Sequence, residues 1–166
     1  MFPAFLIRAA TTDDAPTILQ LIRDLAEYER APDEVRATEP QLREVLFGSA
    51  PAAQVLLAFE GEEAVGFAVY FFNFSTWLAK PGLYLEDLFV KPQTRGKGYG
   101  RALLQRLAQI AEERGCGRME WAVLDWNEPA IGFYKKLGAK PMDEWTVFRL
   151  TQDGIAKLGT GSSLPP

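Results

Sequence analysis

The feature that most constrains the fold is a glycine-rich, basic segment at residues 91–101, which reads KPQTRGKGYGR. An apolar run typical of a strand precedes it at 83–90, and a 3.6-residue apolar repeat typical of an amphipathic helix follows it. In the order strand, turn and helix, backbone N–H groups and the helix N-terminus converge on one point and favour an anion there. Glycines allow the close approach and the backbone angles that such a turn needs. The segment therefore predicts an anion-binding turn.

The spacing of the glycines excludes two common nucleotide-binding motifs. Gly96, Gly98 and Gly100 lie two residues apart, which matches neither GxxxxGK[ST] nor GxGxxG. The segment has four basic residues and no acidic one, although the chain as a whole has a net charge of −4. This local positive charge favours a pyrophosphate ligand. A solvated glycine loop whose basic side chains face water is the alternative.

The composition excludes several types of catalytic mechanism and of binding partner. The 166 residues include no histidine and a single cysteine, so imidazole-dependent catalysis, HExxH metal sites and an intrachain disulfide are excluded. The acidic net charge argues against a general nucleic-acid surface. The longest apolar run has eight residues, whereas a membrane span needs about 20. We expect a cytoplasmic protein with no metal, nucleic-acid or membrane partner and no signal peptide.

The hydrophobic pattern predicts one domain of mixed helices and strands over residues 1–158, followed by a disordered tail at 159–166. No internal repeat or composition break divides the chain. Helices are predicted to end near residues 29, 47, 114 and 137. Strands are predicted at 5–8, 55–60, 64–74, 83–90, 118–124 and 146–150.

Five segments carry a resemblance to a known family. Arg95, Gly98 and Gly100 match the acetyl-CoA signature of the GCN5-related N-acetyltransferases, in which Arg or Gln is followed by two residues, Gly, one residue, and Gly or Ala. The segments YLED at 84–87, WNEP at 126–129 and FYKKLGA at 133–139, with LAEYE at 25–29, resemble the diamine acetyltransferase branch. The resemblance, which extends to about residue 150, implies an α/β fold. Its mixed central sheet would have six to seven strands, helices on both faces, and a splayed parallel strand pair at the acetyl-CoA site.

The resemblance also implies acetyl-CoA as the acetyl donor and assigns residues to bind it. Backbone N–H groups of Leu88, Phe89 and Val90 would polarise the acetyl carbonyl. Asn127 resembles the residue that contacts the pantetheine arm, with a helix N-cap as its other possible role, and Ala130 belongs to the same donor-binding set. The turn residues in the set are Arg95, Gly96, Lys97, Gly98, Tyr99, Gly100 and Arg101.

Two side chains are candidates for proton transfer. An alkyl amine with a pKa near 10.4 is almost entirely protonated at pH 7, so an N-acetyltransferase has to remove a proton before transfer. Strand alternation predicts Leu85 and Asp87 on one face and Glu86 on the other. The resemblance places Glu86 in the substrate site, with an exposed strand carboxylate as the alternative, and Asp87 is expected to matter less. Tyr134 matches the family's general acid, which protonates the CoA thiolate, although it could also be a core tyrosine.

Other residues bear on the acceptor. The spermidine/spermine acetyltransferases have an acidic residue where Ser75 stands, whereas the thialysine N-epsilon-acetyltransferases resemble this chain there. The hydroxyls of Ser75 and Thr76 can hydrogen-bond the α-carboxylate of an amino acid, which a carboxylate would repel. A polar strand edge without ligand is the alternative. By resemblance, further residues line the amine pocket, partly across a dimer interface: Tyr28, Glu29, and one of the two carboxylates Asp143 and Glu144.

The resemblance therefore implies a homodimeric, acetyl-CoA-dependent N-acetyltransferase that acts by direct transfer in a ternary complex. The expected acceptor is the terminal primary amine of a thialysine-like amino acid or a short diamine. Polyamine acetylation is the main alternative. Acetylation of a protein lysine or N-terminus, and a non-catalytic acyl-CoA-binding module, also stay open.

Overall fold

The computed structural model describes residues 4–161, and the chain divides into two compact units between Ala122 and Val123. The first unit contains β1 (Phe5–Ala9), α1 (Ala15–Tyr28), α2 (Glu39–Phe47), β2 (Gln54–Glu60), β3 (Glu63–Ser75), β4 (Lys80–Val90), α3 (Tyr99–Glu113) and β5 (Arg118–Trp121). The second unit contains α4 (Glu128–Lys136) and α5 (Gln152–Gly159). The single domain expected over residues 1–158 stays a prediction. Most of the expected tail, residues 162–166, lies outside the described residues.

The sheet has the order β1-β2-β3-β4-β5. The pairs β1–β2, β2–β3 and β3–β4 are antiparallel, and the pair β4–β5 is parallel. The β4–β5 ladder extends only from the pair Gly82 and Arg118 to the pair Leu85 and Trp121, while β4 continues to Val90. The two parallel strands therefore part after Leu85, as the predicted splayed pair requires, and the mixed α/β fold is confirmed.

The predicted number of strands is wrong, because the described sheet has five strands rather than six or seven. β5 ends at Trp121 instead of continuing to residue 124. Residues 146–150 form no strand, and Val147 and Phe148 are 82% and 92% exposed. A strand is stabilised by a ladder partner, and β propensity alone cannot supply that partner.

The two faces of the sheet are covered by different helices. Ile18, Leu21 and Leu25 repeat along α1 and pack in one cluster with Leu57 and Phe67 of the sheet. Each such fully buried side chain contributes roughly 1.5–3 kcal/mol of hydrophobic stabilisation. On the opposite face Arg114, the C-cap residue of α3, lies over the ring of Phe72, 5.3 Å from its centroid. Helices on both faces are thereby confirmed.

The start of α1 is held by an ion pair that links it to β1. Arg8 donates two hydrogen bonds to the Asp14 carboxylate at 2.7 and 2.8 Å, and the Thr11 backbone N–H donates a third at 2.7 Å. The hydrogen bonds from Arg8 are the main reason that the pKa of Asp14 falls to about 2. This anchoring orients α1, whose last turn carries Tyr28 and precedes Glu29.

In the second unit, both helices begin at a side-chain cap. The Asn127 side chain accepts a hydrogen bond from the Ala130 backbone N–H, and the Thr151 hydroxyl accepts one from that of Gly154, both at 3.3 Å. α5 was not predicted from the sequence, since its eight residues include a glycine in the first turns. Within residues 4–161, no helix is long and apolar enough to cross a membrane.

Candidate active site

The glycine turn has the geometry of an anion site. Gly96 and Gly98 adopt left-handed angles, with φ of 82° and 87°, and Gly98 is the N-cap of the 15-residue helix α3. In the described part of the chain no side chain caps this helix end, so its first N–H groups and the positive end of its dipole are open to a ligand. A Cβ at Gly100 would lie 3.8 Å from Val90, an ordinary contact, so only Gly96 and Gly98 are required by backbone angle.

In the folded protein, ion pairs neutralise part of the positive charge of this turn. Both of its lysines pair with carboxylates of the β2–β3 hairpin, Lys91 with Glu63 at 2.9 Å and Lys97 with Glu60 at 2.7 Å. The hydrogen bond with Glu60 is the main cause of a raised pKa at Lys97. Arg95 and Arg101 have no carboxylate within ion-pair distance among residues 4–161. The uncompensated positive charge of the turn is therefore that of its arginines.

Arg95 contacts a residue that the sequence had assigned to a different part of the site. Its Nε donates a 3.0 Å hydrogen bond to the Val90 carbonyl. Its guanidinium carbon lies 4.3 Å from the ring centroid of Tyr28 and 5.9 Å from that of Phe89. The structure thus brings together a predicted donor-binding residue and a predicted amine-pocket residue.

β4 carries a β-bulge at Glu86. Leu85 pairs with Tyr70 and Asp87 pairs with Val69, so Glu86 is an extra residue opposite a register shift. Val69 belongs to the core beneath α1, whereas Tyr70 lies on the α3 face, because residues adjacent in a strand face opposite ways. Leu85 and Asp87 therefore lie on opposite faces. The prediction that they share a face is wrong, because simple alternation does not allow for the inserted residue.

The bulge forms an acidic cluster at the end of α1. Burial, then the charges of Glu86 and Glu29, raise the pKa of Asp87 to about 6. Burial also raises the pKa of Glu29. A carboxylate that titrates near 6 accepts a proton readily at neutral pH, and the group as a whole attracts a cation. The burial of Asp87 depends on the bulge, and the adjacent carboxylates of Glu86 and Asp87 were the available sequence signal for the cluster.

The serine predicted to contact an acceptor carboxylate lies at the tip of the β3–β4 hairpin. Ser75 is 3% exposed, and its hydroxyl accepts a 3.3 Å hydrogen bond from the Leu78 backbone N–H. Thr76 is exposed. Six residues separate Ser75 from Val69 at the bulge, which corresponds to about 20 Å along a strand. Within the first unit, Ser75 and the acidic cluster are therefore separate.

The second unit holds the remaining predicted residues. Asn127 is 7% exposed and serves as the N-cap of α4, so that structural interpretation is confirmed. Tyr134 is half-buried on α4, with its ring centroid 5.5 Å from that of Phe133. Asp143 and Glu144 are both exposed, in a turn closed by a hydrogen bond from the Trp145 N–H to the Met142 carbonyl. No group of three or more potential metal ligands occurs between residues 4 and 161.

Comparison with known proteins assigns this arrangement to a class of enzymes. The acetyltransferase (GNAT) family model matches residues 17–139, which include most of α1, strands β2 to β5, the glycine turn and α4. The chain therefore belongs to the acetyltransferase (GNAT) family and is an N-acetyltransferase.

Individual relatives narrow the class. The thialysine N-epsilon-acetyltransferase of Bos taurus is 39% identical over 164 residues, covering 92% of this chain and 96% of that protein. The spermidine/spermine N(1)-acetyltransferase-like protein 1 of Homo sapiens is 36% identical over 164 residues, covering 93% of this chain and 24% of that protein. Among solved structures, an integron cassette protein of V. cholerae aligns with a TM-score of 0.79 and 29% identity, covering 93% of this chain and 97% of that one. The resemblance to the diamine acetyltransferase branch is thus confirmed.

Proposed function

We propose that the protein transfers the acetyl group of acetyl-CoA to the terminal primary amine of a thialysine-like amino acid or a short diamine. One observation supports the proposal most strongly. The strand β4 contains the acidic bulge at Glu86 and continues into the glycine turn, where the described residues place no side-chain cap on the N-terminus of α3 and its N–H groups can bind an anion. Four residues separate Glu86 from the strand end at Val90, or about 13 Å. An ammonium site and a phosphate site therefore lie on one rigid element.

The residues present fit the donor. Acetyl-CoA supplies an activated thioester. The N–H groups of the turn, with the guanidinium groups of Arg95 and Arg101, suit the pyrophosphate, because these arginines have no carboxylate partner among residues 4–161. Leu88, Phe89 and Val90 lie where β4 has parted from β5, so backbone groups on that edge can face the acetyl carbonyl. Asn127 and Ala130 would contact the pantetheine arm.

The acceptor side supplies the proton transfers. The amine arrives as an ammonium and is attracted by Glu29, Glu86 and Asp87. Glu86 accepts its proton through a water molecule, and the neutral nitrogen can then form the C–N bond to the acetyl carbon. As the C–S bond breaks, the Tyr134 hydroxyl donates a proton to the leaving sulfur. Both substrates are bound at once, so no acetyl-enzyme forms and Cys116 has no part.

The amino-acid acceptor is supported by the Bos taurus relative's name. A polyamine is the second candidate, since the acidic cluster at the bulge suits a polycation and a human relative is named for spermidine and spermine. We also infer a homodimer in which Asp143 and Glu144 act partly across the interface. The exposed apolar side chains of Trp145, Val147 and Phe148 support this assembly.

The test is CoA release from acetyl-CoA by the purified protein near pH 8, with thialysine, lysine, putrescine, spermidine and a lysine-containing peptide at equal concentrations. We expect thialysine to be the best acceptor. If spermidine is the best acceptor, the proposed acetyl transfer is retained and a polyamine replaces the proposed acceptor. Binding of acetyl-CoA without turnover on any amine would contradict the proposed reaction and favour a binding module.

A further inference from the structure

Tyr28 lies at the C-terminal end of α1, where its ring supports the Arg95 side chain. The Arg95 guanidinium stacks over this ring at 4.3 Å, a separation at which cation–π attraction is effective. The centroid of the Phe89 ring lies 6.4 Å from that of Tyr28, tilted by 51°. Tyr28 and Phe89 thus form a two-ring platform under one guanidinium.

The platform restrains a side chain that otherwise has many rotamers. Arg95 is exposed, and a free arginine loses considerable rotamer entropy when a ligand immobilises it. Here the Nε bond to the Val90 carbonyl holds one edge of the guanidinium, and the Tyr28 ring holds its face. The side chain makes no other hydrogen bond or ion pair among residues 4–161. Its remaining N–H groups are therefore positioned in advance for an anion.

The same contact bears on the amine pocket. One face of the Tyr28 ring is covered by the Arg95 cation, which excludes a second cation from that face, and the positive charge of Arg95 also repels an ammonium elsewhere beside the ring. The carboxylates of the cluster beside it remain the groups that attract the amine. Tyr28 is thus poorly placed to bind the acceptor directly.

We propose that Tyr28 is a positioning residue for the donor: its ring holds the Arg95 guanidinium ready for a phosphate of acetyl-CoA, and it does not bind the amine. The proposal rests on the proposed function, because it takes the glycine turn as the donor site. It reassigns Tyr28 from the acceptor side, where the family resemblance placed it.

The test is a double-mutant cycle read by calorimetric titration with CoA. Because the aromatic face carries the effect, Tyr28→Phe should bind CoA within about twofold of wild type, whereas Tyr28→Leu should bind roughly 3- to 10-fold more weakly. In an Arg95→Gln background, Tyr28→Leu should have no further effect. KM for the amine at saturating acetyl-CoA should be unchanged in both Tyr28 variants.

A matched control is Tyr84→Leu, which truncates a half-buried β4 tyrosine whose ring packs on Phe71 and on no arginine. It should leave CoA affinity unaltered. A higher amine KM with unchanged CoA affinity in Tyr28→Leu, or additive losses with Arg95→Gln, would overturn the inference alone. A wild-type protein that does not bind CoA would instead remove the proposed function, and this inference with it.

Discussion

The Lys97 ammonium lies between the two carboxylate oxygens of Glu60, at 2.7 and 2.9 Å. Lys97 first, and the Tyr99 hydroxyl after it, hold the pKa of this carboxylate below its usual range, and the Tyr99 ring stacks on Phe5 at 4.1 Å. Glu60 therefore ties the glycine turn to β2 through Lys97. It also cancels a positive charge next to the proposed phosphate site.

Replacing Glu60 with glutamine should strengthen CoA binding by roughly two- to fivefold at low ionic strength, because the negative charge is removed and Lys97 is released. The gain should vanish at about 0.5 M salt, where exposed charges are screened. Titrations at the two salt concentrations measure it. Glu62→Gln makes the same charge change on the exposed hairpin turn with no lysine partner and should have a smaller effect. Weaker CoA binding by Glu60→Gln would mean that losing the Lys97 contact, which anchors the turn, has a larger effect than removing the negative charge.

Gly98→Ala should destabilise the protein and weaken CoA binding. A left-handed φ costs an L-residue about 1–2 kcal/mol, and the new methyl group would stand at the helix N-terminus that faces the phosphate. Gly115→Ala introduces the same strain, with φ of 67° and no atom near its Cβ, beyond the other end of α3. Urea denaturation should show similar losses of unfolding free energy in both variants. Only Gly98→Ala should change CoA affinity, and equal affinities would argue against the anion site.

Tyr134→Phe should lower kcat by roughly 100-fold or more, since general acid catalysis contributes about that factor. Affinity for acetyl-CoA should stay nearly constant, because the ring and its packing beside Phe133 are kept. Steady-state kinetics and a CoA titration separate the two effects. Tyr70→Phe removes a phenol on the α3 face of the sheet, where its hydroxyl donates a hydrogen bond to Gln54, and serves as the control. Unchanged turnover in Tyr134→Phe would exclude Tyr134 from proton transfer.

Asp87→Asn should stabilise the fold at neutral pH. The pKa of Asp87 is raised from 3.8 to about 6, so the native state holds this proton more tightly than the unfolded chain does. Wild-type stability from this group therefore falls as the pH rises between about 4 and 6. With allowance for partial exposure, the variant should gain about 1–2 kcal/mol above pH 6 and little near pH 4.

Urea unfolding at pH 4 and pH 7.5 measures this difference, with the exposed Asp33→Asn as a control that should show none. The acid limb of kcat/KM near pH 6 should also be lost in Asp87→Asn. A gain in stability that does not depend on pH would mean that ionisation of Asp87 is not its cause.

If the hairpin tip contacts the acceptor, as the family resemblance implies, Ser75→Asp should shift the preference from thialysine towards spermidine, because a carboxylate attracts a distal ammonium and repels an amino-acid carboxylate. Ser75 is buried, so its carboxylate variant also carries a desolvation cost. Thr76→Asp places the same charge at the exposed neighbour and tests the electrostatic argument without that cost. The ratio of kcat/KM for the two amines is the readout. An unaltered ratio in both variants would exclude the hairpin tip from acceptor selection.

The sequence alone was sufficient for features that depend on local chemistry. The left-handed glycines of the turn and the 3.6-residue repeat of α1 and α3 follow from steric and periodic rules that act over a few residues. Arg95, Gly98 and Gly100, in that spacing, were enough to indicate the family that comparison then confirmed.

Other features depend on pairing between distant segments, and these were missed. The strand predicted at 146–150 has no ladder partner in the described chain. The bulge that separates Leu85 from Asp87 exists only in register with Val69 and Tyr70, and it leads to the raised pKa of Asp87. Strand register is set by both strands at once, so one strand's alternation cannot reveal an inserted residue.

The sequence by itself determined the family, the glycine turn before α3 and the carboxylates available on β4. Only the tertiary structure decided the partner of each charged group. Lys97 pairs with Glu60, Arg95 lies over the Tyr28 ring, and Asp87 is partly buried near the negative charges of Glu86 and Glu29. The physical reason is that burial and charge–charge distance govern electrostatic energies, and both arise when segments far apart in the chain come together.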